Sequence, residues 1–127
     1  MATTRIDELE AWKSARNALF ADQASTWEFL QGVDYSGDEE SEYQQARGVL
    51  DRIARDLRRL GLKGLELVDQ AIARSELVES ITELAKEAER EAARIKKASK
   101  TLDGITKAVD LATTVVTKVV GLPTPGA

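Results

Sequence analysis

Glu79, Glu83, Glu87 and Glu91 recur at every fourth residue, a spacing that stacks four carboxylates along one face of a helix. Stacked carboxylates are the raw material of divalent-metal sites, and helical bundles host carboxylate-bridged metal pairs. Those sites draw on histidine as well, and the 127-residue chain has none. Lys86, Arg90 and Arg94 stand within a turn of the same glutamates, so the spacing reads as ion pairing along a solvated face. No metal and no other cofactor is expected.

A second cluster, Arg52, Arg55, Arg59 and Lys63, forms a basic stripe opposite Leu50, Ile53, Leu57 and Leu60. Such a stripe can follow a phosphate backbone. Here Asp51 and Asp56 interrupt it, no aromatic lies within it to stack a base, and the chain carries a net charge of −4 with a pI near 5.0. A solvated or internally paired face is expected, and no nucleic acid. Gly61-Leu-Lys-Gly64 lacks the length and helix placement of a phosphate-binding loop, so it is a hinge at most.

The missing residue types exclude more than the present ones suggest. Without histidine the chain lacks the commonest general base, transition-metal ligand and pH switch. Without cysteine it has no disulfide and no thiolate metal site. No enzyme activity and no small-molecule substrate is expected.

What remains is contact. Leu102, Ile105, Val109, Ala112, Val116 and Val119 alternate at spacings of three and four, and the phase continues upstream through Ile81, Leu84, Ala88, Ile95 and Ala98. That pattern gathers side chains into a narrow, coiled-coil-like seam. Seven of the eight residues from Thr113 to Val120 are β-branched, which disfavours an isolated helix in water. Such a helix must be held by packing or by lipid. The leading expectation is a non-enzymatic helical assembly protein that associates, with itself or another protein, through this seam.

Two alternatives come from other features. The 102–120 helix would suit a membrane-active coat or pore component, with Lys107 and Lys118 meeting headgroups at the membrane surface. The acidic stretch around Asp38, Glu39 and Glu40, with the aromatics Phe29 and Tyr35 nearby, would suit an immunity-, antitoxin- or chaperone-like partner of a basic protein. All six aromatics lie between Trp12 and Tyr43. Trp12, Phe20 and Trp27 read as core, leaving Phe29 and Tyr35 as the contact candidates. No signal peptide or ordinary membrane span is visible, so a cytoplasmic location is expected.

These features rest on long helices. The first is expected from Thr4 to about Gln31, followed by a polar loop from Gly32 to Glu40. Ser41 and Gln44 fit a capping box opening a second helix, whose phase runs Tyr43, Ala46, Leu50, Ile53, Leu57, Leu60, Gly64, Leu67 and Ala71. Ser75 caps a third helix reaching Val120, where Gly121 and Pro123 stop it. Lys100–Gly104 is a rival break, since Thr101 can cap a fresh start. The expected fold is an all-α antiparallel bundle of three long helices, or four or five if the chain breaks at Gly61/Gly64 or Lys100–Gly104. One domain spans 1–121, with a disordered tail over 122–127. An unbroken third helix would extend about 67 Å at 1.5 Å per residue, more than the others can cover.

Overall fold

A computed structural model describes residues 3–5, 9–33, 40–66, 71–97 and 101–123. In chain order the elements are β1 (Thr3–Arg5), α1 (Glu10–Gln31), α2 (Glu40–Glu66), β2 (Ala71–Ala73), α3 (Glu76–Lys97) and α4 (Leu102–Val120). The protein is an all-α bundle of four helices, with a short antiparallel ribbon that pairs Thr3 with Ala73 and Arg5 with Ala71. The first helix therefore starts later than Thr4 suggested. The chain at Thr3–Arg5 is extended by pairing with β2, and helix begins after Leu9.

The expected third helix is two helices. α3 ends at Lys97 and α4 begins at Leu102, with the Thr101 hydroxyl accepting the Gly104 amide at 3.1 Å. Lys100 itself lies outside the described residues. The break shortens the longest element to match its neighbours, so a seam too long for the bundle to cover does not arise. Ser75 caps α3 as its position suggested, accepting the Val78 amide at 3.3 Å. α2 runs through Gly61 and Gly64 without interruption but stops at Glu66, and Ala71 belongs to the ribbon. Ser41 lies inside α2, its hydroxyl accepting the Gln45 side chain at 3.3 Å rather than capping the helix.

Cross-helix bonds fix the directions. Trp12 Nε1 donates to the Leu60 carbonyl at 3.0 Å, while Trp27 and Leu30 face Tyr43 and Arg47, so α1 and α2 are antiparallel. Arg52 meets Asp110, Asp56 meets Thr113, Arg59 meets Thr117 and Lys63 meets Leu122, so α2 and α4 run parallel. Consecutive helices alternate in direction, as an antiparallel bundle requires.

α1 and α4 form a central pair with α2 on one side and α3 on the other. α1 touches all three other helices, most extensively α3. Its inward face explains how. Ala11, Ser14, Ala15, Ala18, Ser25 and Thr26 are small, and short side chains let helix axes approach closely. Apart from Leu19, the larger buried apolar residues of the helices come from α2, α3 and α4: Ile53 and Leu60 of α2, Ile81 and Ile95 of α3, and Ile105, Val109, Val115, Val116 and Val119 of α4. The β-branched run of α4 is thus held in helix by burial inside its own chain. Leu122 closes this end, only 3% exposed, with its carbonyl taking a 2.8 Å hydrogen bond from the buried Lys63 ammonium. Leu122 thus belongs to the packed end of the bundle, and residues 124–127 of the expected tail lie outside the described residues.

Candidate functional site

Five of the six seam residues sit in the core. Ile105, Val109, Ala112, Val116 and Val119 are fully buried, and Leu102 is half-buried. The fold brings them together on one face of α4, but that face is already covered by α1, α2 and α3. As a contact surface the seam is closed within the chain.

Of the loop-side candidates, Phe29 and Glu40 are among the described residues. Tyr35, Asp38 and Glu39 lie outside the described residues, and Glu40 is the exposed first residue of α2. Phe29 packs half-buried against the core, whereas Phe20 and Trp27 stand 51% and 54% exposed. This reverses the roles expected for Phe20, Trp27 and Phe29, whereas Trp12 packs against the core as expected. Phe20 and Trp27 fall on the side of α1 opposite its buried positions, so their rings turn outward.

Trp27 opens onto a cleft. It lies between the second half of α1 and the first half of α2, with a volume of about 680 Å³. Trp27 and Leu30 form one wall, Tyr43, Leu50 and Ala54 the other, and Gln23, Gln31, Arg47 and Asp51 the polar rim. Arg47 Nη1 donates to the Tyr43 hydroxyl at 3.2 Å, and its guanidinium carbon stands 5.9 Å from that ring's centroid. The hydrogen bond, with the field of Asp51 adding to it, raises the Arg47 pKa further above its ordinary value. Arg47 stays charged, holding the Tyr43 ring in place. Phe20 adds a third large apolar group two turns before Trp27 on the same side of α1. At the other end of α1 the opposite holds. Trp12 closes onto Leu60 and Gly64, where an added Cβ would stand 3.3 Å from Trp12 Cζ2.

The other residue clusters are structural. Glu91 pairs with Arg94, Nε donating to Oε2 at 3.2 Å, which lowers the Glu91 pKa. Among the described residues no group of three acidic side chains could hold a metal ion. The basic stripe divides. Arg52 pairs with Asp110 at 2.6 Å, Arg59 bonds Asp56 and Thr117, and Lys63 is buried on Leu122. Arg55, by contrast, faces solvent. With Thr113 donating to the buried Asp56 carboxylate, these contacts form a four-rung polar ladder between α2 and α4. No spacing rule predicted it, because its two sides lie 57 to 59 residues apart in sequence.

Comparison with known protein families, curated proteins and solved structures finds no match to this chain.

Proposed function

We propose that this chain is a non-enzymatic interaction protein that takes an apolar segment of a partner into the α1–α2 cleft, with Trp27 as the anchor. The partner is another protein or a second copy of the chain. One observation carries the reading: Trp27 is 54% exposed on the wall of a concave apolar surface that it shares with Tyr43. Single exposed apolar residues are ordinary. Large rings grouped at a cleft with a polar rim match the anatomy of a binding surface, where tryptophan and tyrosine carry much of the energy.

No comparable support attaches to lipid binding. The apolar face of α4 that would enter a bilayer is occupied by the other helices, and no helix among the described residues is long and apolar enough to cross a membrane.

The test is site-specific photo-crosslinking in the native host, with a benzophenone amino acid replacing Trp27 and, as control, exposed Ala93 on α3. A discrete adduct formed from position 27 and absent from position 93 supports the reading. No adduct from position 27 beyond the control removes it.

A further inference from the structure

The second half of α1 is turned inside out relative to an ordinary surface helix. Asp22, Ser25 and Thr26 are buried to within 2% of complete, while Phe20 and Trp27 point into solvent from the opposite side. Thr26 is satisfied, its hydroxyl donating to the Asp22 carbonyl at 2.7 Å. Asp22 Oδ2 and Ser25 Oγ have no hydrogen-bonding partner among the described residues. A buried polar atom left this way carries its full desolvation penalty, which is larger when it is charged. The first half of α1 carries no such burden, since Ala11, Ala15, Ala18 and Leu19 face inward there.

Among the described residues the charge that acts on Asp22 is a like one. On α3, Glu91 acts on it as a like charge although paired with Arg94, and Glu89 is engaged by the Asn17 amide at 2.8 Å. On α4, Asp103 pairs with Lys107, Asp110 pairs with Arg52, and Lys118 lies beside Ser80 and Glu83 near the start of α3. On α2, Arg47 and Asp51 border the cleft, on the other side of α1. Glu28 on α1 itself is exposed. Burial, with repulsion from Glu91 second, pushes the Asp22 carboxyl up to about 7.

We propose that residues 20–31 of α1 are a proton-controlled latch: with Asp22 protonated this half-helix stays docked on α3 and α4, and loss of the proton releases it. Trp27 and Leu30 wall the cleft, so release reshapes the binding surface. That consequence rests on the function proposed above, whereas the release itself does not.

The sign follows from linkage. A carboxyl raised in the docked state binds its proton more tightly there than when hydrated, so rising pH favours opening across the interval from the ordinary value of 3.8 to about 7. Between pH 6 and pH 8 the opening equilibrium should rise about tenfold.

Hydrogen exchange of the intact protein, corrected for intrinsic rates, reads this directly. Protection over 20–31 should fall about tenfold from pH 6 to pH 8 and lie below that of 105–116 in α4 at both values, because release of this half-helix needs no global unfolding, and the Asp22→Asn variant should lose the pH dependence. Carboxyl NMR titration of the wild-type protein, with an expected midpoint near 7, tests the same group if the variant misfolds. Equal protection in the two segments, an Asp22 midpoint in the ordinary carboxylate range, or an Asp22→Asn protein keeping the full pH dependence would overturn the latch. Absence of an adduct at position 27 would leave all these results standing.

Discussion

Asp22 and Trp27 occupy opposite faces of α1, the carboxylate 2% exposed and the indole 54% exposed. At 100° per residue the five-residue interval places them on nearly opposite sides of the helix. The arrangement inverts the usual division of polar outside and apolar inside. It follows from the residue order of α1, which sets Phe20 and Trp27 on the side opposite its buried positions.

The inversion makes stability fall as pH rises. The folded-state pKa of Asp22 is raised from 3.8 to about 7, so its contribution is present in full below the lower value and is lost as pH rises through the higher one. Urea denaturation should give a stability on the order of 2–3 kcal/mol lower at pH 8 than at pH 5 from this group alone. The Asp22→Asn protein should remove that difference. A wild-type stability flat between these pH values would mean that Asp22 is hydrated in the folded state.

The seam on α4 behaves as core. Val116→Asp places a carboxylate at a fully buried position and should unfold the protein or cost at least about 4 kcal/mol. Thr114→Asp, two residues away on the exposed face, should change stability by less than about 0.5 kcal/mol. Circular dichroism during thermal denaturation separates the two. A folded, fully stable Val116→Asp protein would show that this face is not packed within the chain.

The α2–α4 ladder should divide unequally between its rungs. Asp56 is 2% exposed and joins Thr113 and Arg59, so Asp56→Ala should cost about 3 kcal/mol by stranding both partners. The Arg52–Asp110 pair is largely solvated, and Arg52→Ala should cost under about 1 kcal/mol. Chemical denaturation of the two variants gives the ratio.

Three glycines in α2 offer a finer comparison. A Cβ added at Gly48 or Gly61 meets nothing within 4 Å, so Gly48→Ala and Gly61→Ala should each stabilise by about 0.5–1 kcal/mol. At Gly64 the added carbon would press on Trp12 at 3.3 Å, and the ring is tethered to Leu60. Gly64→Ala should therefore gain less than Gly61→Ala, as melting temperatures would show.

Much of the bundle was legible because its signals are local. Ile105, Val109, Ala112, Val116 and Val119 announced a buried helix face by spacing alone, and Ser75 and Thr101 marked helix starts through their capping chemistry. The turn between α3 and α4 was obscured because apolar phase continues by coincidence across residues 95–105. The ribbon could not be read, since Thr3–Arg5 and Ala71–Ala73 are extended only because they pair across a long sequence interval. The cleft was missed for a related reason. Apolar periodicity assigns Trp12, Phe20 and Trp27 to one core-facing side, but only the packing around α1 reveals that its inward positions admit small residues. Buried Asp22, Ser25 and Thr26 were the available signal, three small polar residues on the face that also carries Ala15 and Ala18.

The central claim is that Trp27 anchors a partner, and affinity measures it most directly. The protein recovered by crosslinking at position 27, or the chain itself if the adduct is a dimer, can be titrated against wild-type and Trp27→Ala proteins by calorimetry. Because Trp27 is more than half exposed, the variant should keep the wild-type helical spectrum. Its affinity should fall about 30-fold or more, the loss typical of a buried aromatic anchor at about 2 kcal/mol. An affinity within twofold of wild type would contradict the claim.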